Sequence, residues 1–223
     1  MILRRYYTFI IFISLIYNQD IALDKYKNSN RSTRKILGSI DRKYGDHTGN
    51  RVLTRIFNFG GIGDAGSSFS GVYPIGSGYS YFYEFTPVVA ASVIDTAGNR
   101  KHLVSDGVVA STLVDDSPEG VPWGFEPLFG YANPNQEYLA MSDKEDSWPD
   151  SWPNRDDDWS GYWNGQYGKY TRADQESYFV MDDYYNKEIA FWPDETDTSD
   201  EGRRGLGVEI ESRGYQWNHP AAE

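Results

Sequence analysis

Cysteine is missing from the 223-residue chain, and histidine and methionine occur only 3 times each. Without thiols the chain has no disulfide framework, no thiolate metal site and no lipid-modified N-terminal cysteine. His47, His102 and His219 lie far apart, and none has a second histidine at ligand spacing, which argues against a zinc site. Basic residues are also in deficit, 21 against 33 acidic, for a formal net charge of −12. With a pI near 4.7 the surface is poorly suited to phosphate backbones, so nucleic acid is not an expected partner. The motifs of serine hydrolases, zinc proteases and phosphate loops do not occur. Apolar spacing of helical period is not sustained anywhere past residue 46.

No apolar run reaches the ~20 residues that a membrane-spanning helix needs. The longest covers residues 6–16 and follows Arg4 and Arg5, which matches the charged and apolar regions of a secretory signal peptide. Ala22 is the candidate cleavage residue, with Asp20 where a small residue is preferred. The alternative for this stretch is a buried N-terminal strand or helix. The expected organisation is a signal peptide at 1–22, a basic leader or linker at 23–45, and a β-rich domain at 46–223. The last is expected to be incomplete at its C-terminus, because Tyr215 and Trp217 read as the start of a strand just before the chain stops.

What the chain does contain is aromatic side chains (18 Tyr, 11 Phe and 7 Trp) and 22 glycines. Such an aromatic load argues for a packed domain over disorder. Strands are expected at 51–59, 79–85, 88–94, 102–105, 108–114, 138–141, 177–181, 188–192 and 206–212. Pro87 divides the second from the third. The stretch VVAASVI–DTAGNR–KHLVS reads as a hairpin, since two β-rich runs flank a turn rich in Asp, Gly and Asn. Short strands separated by Gly, Pro, Asp and Asn point to an all-β fold, an antiparallel β-sandwich-like domain with long Gly/Trp/Asp-rich loops. The sequence GIGDAG at 61–66 fits a dinucleotide-loop pattern, but the Gly/Ser-rich stretch after it, broken by Pro74, cannot open a helix. A connecting turn is expected there instead.

Charge is unevenly placed. Residues 143–201 hold 17 acidic and 5 basic residues, a net of −12, together with five of the seven Trp. Within them, Trp148, Trp152, Trp159, Tyr162 and Trp163 stand beside Asp and Asn. Two readings are open. Exposed rings next to carboxylates and amides suit the C–H face and hydroxyls of a sugar. Equally, aromatic side chains are what pins a long irregular loop to a sheet. Asn154, Asp156 and Asp158 occupy positions one, three and five of a calcium-loop pattern, which then fails at Trp159 and Gly165. Ca2+ is the one cofactor this region suggests. Asp197, Ser199, Glu201 and Gly202 begin a similar pattern that fails at Val208. Glu84, Glu126 and Glu137 lie nearest apolar sequence and are the candidates for acid–base chemistry.

Four phrases, GNRVLTRIFNFGGIGDAG, YPIGSGYSYFYEFTPVVAASVIDTAGNRKHLVSDG, WSGYWNGQYGKYTRADQESYFVMDD and GLGVEIESRGYQWNHP, together resemble the N-terminal region of large secreted proteins of Bacteroidetes-related marine bacteria. The resemblance covers about residues 46–220. It implies export, a cell-surface location and continuation toward a type IX secretion sorting domain. It implies no catalytic residues.

These readings converge on a secreted or cell-surface module without catalytic residues, structural or adhesive in role. Its expected partners are extracellular glycan or other surface modules. The alternative is a carbohydrate-active enzyme module using Asp/Glu chemistry.

Overall fold

Strand β7, Gln175–Asp182, is the axis of the domain. The computed structural model describes residues 41–64, 67–109, 115–118, 120, 122–191 and 205–219. The signal-peptide stretch, most of the basic leader, and the Asp197–Gly202 pattern lie outside the described residues. Eight strands are described, in chain order β1 Tyr44–His47, β2 Thr54–Phe57, β3 Val88–Ile94, β4 Arg100–Asp106, β5 Glu126–Pro127, β6 Ala140–Met141, β7, and β8 Glu209–Gln216. Two short 3-10 turns, Glu145–Ser147 and Asp157–Trp159, lie between the strands, and no α-helix occurs among the described residues. The fold is all-β, and every strand pair is antiparallel. No helix among the described residues is long and apolar enough to cross a membrane.

β1 and β2 form one two-stranded ribbon, and β3 and β4 another. In the four-stranded sheet, β7 pairs with β8 along its full length on one side and with β5 and β6 on the other. Side chains alternate across a strand, so β7 supplies both faces of the core. Phe179 and Met181 join Phe125, Leu139 and Met141, covered by Ile56 of β2, Val89 of β3, and Val208 and Ile210. Tyr178 and Val180 face the other way, against Ala140, Trp152 and Trp163. Thus one face of the sheet is closed by the ribbons. The other is closed by an irregular Trp-rich loop, where a sandwich would place its second sheet.

β7 is buried from Gln175 to Met181 although it begins Gln-Glu-Ser. Buried polar groups need partners, and β7 finds them in loops. Gln175 accepts the amides of Thr48 and Gly49 at 2.6 and 2.9 Å and donates to Asp143 at 2.9 Å. Ser177 shares a 2.9 Å hydrogen bond with the buried His47 ring. Gly214 pairs with Ser177, and a Cβ there would collide with both Ser177 and His47. At the far end Asp183, fully buried, accepts from Ser105 at 3.1 Å and from the amides of Leu206 and Val208 at 2.6 and 3.0 Å.

The expected hairpin forms with register Val88↔Asp106 to Ile94↔Arg100. Asp95 closes its turn by accepting the amides of Ala97 and Asn99, and Gly98 takes φ +84°. Gly60 and Gly63 take φ +112° and +92°, in keeping with a turn ahead of the Gly/Ser-rich stretch.

Other strand expectations need correction. Residues 79–85 alternate without forming a strand, and only isolated bridges occur, Val72↔Ser80 and Ile62↔Phe85. Alternation assigns faces but supplies no partner, and Tyr79 and Tyr81 are 70% exposed. Of the strand expected at 108–114 only Val108 and Val109 lie within the described residues, as irregular chain, and of that expected at 188–192 Trp192 lies outside them, while Phe191 bridges Asp95. The strand expected at 206–212 is displaced to 209–216, because β7 dictates its length and Gly207 takes φ +75°. Tyr215 is therefore the penultimate residue of β8, and Trp217 lies just past its end. The domain also reaches back into the basic leader, since β1 begins at Tyr44 and Arg42 makes a two-point ion pair with the buried Glu126.

His47 links this architecture to pH. Burial pushes its pKa below the usual 6.5, only partly offset by Asp143 and Asp46. The ring is therefore neutral in the fold, and as pH falls through ~6.5 the unfolded chain takes up the proton first. Its stabilising contribution is complete above that pH and lost below it. We expect the urea midpoint to fall between pH 7.5 and 5.5, with a shallower fall in a His47→Gln variant. Equal slopes in the two proteins would remove His47 as the cause.

Candidate ligand-binding surface

The aromatic residues singled out in 148–163 divide by burial. Trp152 and Trp163 are each 3% exposed, and Trp148 and Trp159 pack half-buried against them. Ring centroids lie 5.5 Å apart for Trp148–Trp163, 5.9 Å for Trp152–Trp163 and 5.7 Å for Trp152–Tyr178. Such tilted and edge-on pairs add to the area they bury. Three indole N–H groups are committed internally. Trp148 donates to the Met141 carbonyl at 2.7 Å, Trp152 to the Tyr162 carbonyl at 2.9 Å, and Trp163 to Glu176 at 2.7 Å. Glu176, 1% exposed, also accepts the amides of Arg172 and Ala173, which closes the loop back on β7. Of the five residues only Tyr162 offers much surface, at 52% exposed. The loop-anchoring reading accounts for the tryptophans.

Two of the three suggested calcium ligands are likewise engaged with protein through their side chains. Asn154 donates to the Tyr178 hydroxyl at 2.8 Å and accepts from Asn164 at 3.0 Å. Burial pushes the Tyr178 phenol up to about 12, so it stays protonated at neutral pH. Asp158 pairs with Lys169 at 2.8 Å, and Asp156 precedes the 3-10 turn Asp157–Trp159, which breaks the alternating loop geometry. Among the described residues no three or more His, Asp or Glu side chains cluster closely enough to hold a metal. Cations do lie over rings of this window: Arg155 is 4.4 Å from the centre of Trp159, and Arg213 4.0 Å from that of Tyr178. Of the carboxylates considered for acid–base chemistry, Glu126 is bound to Arg42 and Glu84 accepts the amide of Val109.

A different surface emerges at the end of β8. Tyr215 and Trp217, two residues apart, project on one side, with rings nearly parallel at 15° and centroids 5.6 Å apart. Four hydrogen bonds fix them. The Trp217 indole donates to the Arg172 carbonyl at 3.0 Å, and its own carbonyl accepts from Asn50 at 3.1 Å. Tyr215 donates to Gln166 at 3.1 Å, and the amide of Asn218 donates to Asp174 at 2.8 Å. Trp217 nevertheless remains 53% exposed. Beside it Arg172 lies 4.6 Å over the ring of Tyr167, which is 63% exposed. A small cleft of about 50 Å3 adjoins Trp217, lined by Asn50, Arg51, Tyr73, Asn218 and His219 among others. A rigid, wet indole bordered by amide, guanidinium and imidazole groups can take an apolar ring face and orient hydroxyls. The sequence carried a signal for it, since the alternation Ile210, Ser212, Gly214 continues in phase against Tyr215 and Trp217. Reading Tyr215 as the opening of a new strand hid that continuity.

No family model, no curated protein and no solved structure matches this chain.

Anchors and contact residues respond differently to substitution. Trp163→Phe keeps most of the ring but leaves the buried Glu176 oxygen without its donor, a loss of about 1.5–3 kcal/mol for a hydrogen bond to a charged group. Tyr162→Ala, at a half-exposed site, is expected to cost under about 1 kcal/mol. Urea denaturation of both variants checks this ranking, and equal losses would contradict the anchoring role.

Proposed function

We propose that this chain is a non-catalytic module of an exported bacterial cell-surface protein, adhesive in role, which contacts extracellular glycan through the Trp217–Tyr215 surface. The observation that carries the reading is the state of Trp217. Its ring is held by a stacked neighbour and a hydrogen bond, yet half of it stays in water. An apolar ring immobilised in solvent gains nothing for folding from its exposed part. For binding, that immobility has a use, because the ordering cost is already met before the ligand arrives. The C–H face of a pyranose complements the indole, and the adjoining cleft, lined in part by Asn218 and His219, is polar where the hydroxyls would lie. Aromatic area with few polar groups is the usual composition of such sites.

Export is supported by Arg4 and Arg5 ahead of the apolar stretch 6–16 and by the resemblance to secreted proteins sorted by type IX secretion. A surface module of a larger protein is also consistent with the strong negative charge, which keeps large extracellular chains soluble. The acid–base alternative draws no support from Glu84 or Glu126, whose carboxylates are spent on Val109 and Arg42.

A glycan array tests the contact. We expect the wild-type chain to bind a defined subset of glycans, Trp217→Ala to weaken that binding at least about tenfold, roughly 1.4 kcal/mol, and Tyr162→Ala to leave it unchanged. Binding by no protein at all, or full retention by Trp217→Ala with an unchanged Tm, would reject the site. For export, intact-mass measurement of chain recovered from an exporting bacterial host should show an N-terminus shortened by about 20 residues. A full-length mass would contradict the signal-peptide reading.

A further inference from the structure

The outer edge of β3 is an exposed pairing surface among the described residues. β3 pairs with β4 on one side only. On its other side, among the described residues, the contacts lie just past the strand, where Asp95 bridges Phe191 and the Thr96 amide donates to the Ala190 carbonyl. The seven residues Val88–Ile94 read VVAASVI, with no charge, no proline and no glycine. Soluble proteins protect such edges with charges, prolines or bulges, and β3 has none of these. Val88 is 60% exposed, Ile94 38%, and Val104 across the ribbon 37%. The ribbon is nevertheless held in place. Leu103 and Ser105 are fully buried beneath it, and the Asn186 side chain donates to the Val104 carbonyl at 2.6 Å.

We propose that β3 pairs antiparallel with β3 of a second copy of this chain, across a two-fold axis at Ala91. The sequence is self-complementary in that register. Val88 falls opposite Ile94 of the second copy, Val89 opposite Val93, Ala90 opposite Ser92, and Ala91 opposite Ala91. Branched side chains thus meet branched side chains at both ends, and small ones meet at the centre, the pairing that stabilises antiparallel strands. A two-fold axis makes the interface use one patch twice and leaves neither β3 edge unpaired. Two marginal two-stranded ribbons become one four-stranded sheet of order β4-β3-β3-β4. Electrostatics select the same place. The chain carries a net −12, concentrated in residues 143–201, which opposes most approaches of two copies. In the hairpin Arg100 and Lys101 balance Asp95 and Asp106, so this ribbon itself adds no net charge to that repulsion.

Sedimentation equilibrium and charge substitution test the pairing and its register. The full chain is expected to show twice its 25.5 kDa mass. Ala90→Lys/Ser92→Lys places lysine opposite lysine at two points and should yield a monomer. Ala90→Lys/Ser92→Glu places lysine opposite glutamate and should restore the dimer. Both positions are exposed, so Tm is expected to hold in each variant. If the double-lysine variant fails to fold, a second measurement decides. The chain has no cysteine, so with oxidised glutathione as electron acceptor Ala91→Cys should give a disulfide-linked dimer, and Ala97→Cys in the hairpin turn should not. A wild-type monomer at the highest soluble concentration overturns the proposal. So do charge variants that behave alike, or equal cross-linking at the two cysteine positions. A monomer whose β3 amides exchange slowly would place another segment of the same chain on this edge.

Discussion

A carboxylate sits at the centre of the molecule. Glu176 is buried in β7, and leaving such a charge uncompensated in the interior costs several kcal/mol. Its two oxygens are met by the Trp163 indole and by the amides of Arg172 and Ala173. All three donors come from the irregular chain that precedes β7, so satisfying this group also folds that chain against the sheet. Once Trp163 is fixed, Trp148 and Trp152 pack on it, and the second face of the sheet is closed. The Arg172 carbonyl then stands where the Trp217 indole can use it. The same carboxylate that closes the core thus sets the position of the exposed ring.

A polar central strand shapes the rest of the domain in the same way. Where most sheets bury aliphatic rows on both sides, β7 buries Gln175, Glu176 and Ser177 at one end, and Asp183 follows it at the other. Each needs a loop that brings donors or acceptors to it, which explains the high proportion of irregular chain. It also explains why one sheet face carries a loop of tryptophans. Regular strands would have offered apolar surface but no free amides for a carboxylate, since their N–H groups are spent on the ladder. The polar contacts confer geometry more than net stability, because a buried pair gains little over an apolar one but is costly to break.

The two exposed features follow from what this core leaves uncovered. β8 is held by β7 on one side, and its last residues extend past the core with Tyr215 and Trp217 in phase on one face. The ribbon of β3 and β4 is held from beneath by Leu103 and Ser105, so its far edge is presented to solvent in a fixed conformation. Both are rigid before any partner arrives, which is the condition under which an apolar surface binds with little ordering cost. They lie on separate strands, so substitutions that disturb one leave the other in place.

Local chemistry in the sequence decided some of this outright. Two β-rich runs flanking Asp-Thr-Ala-Gly-Asn are sufficient for the β3–β4 hairpin, because a turn acts between neighbours and needs no distant partner. The absence of helical period likewise settled the all-β class. The five residues of the Trp-rich segment were legible as important, but their two readings could not be separated by composition, since an indole N–H looks the same whether it meets a buried glutamate or a sugar. Burial separated them, and burial depends on β7, tens of residues away for the earliest of them. Non-local pairing decided the remainder. The tyrosines at 79 and 81 alternate like a strand yet find no ladder, while the phase of β8 and the placement of Trp217 follow from an eight-residue register with β7. A strand's pattern states which face each side chain takes, and only the partner's hydrogen bonds determine whether the strand exists and where it ends.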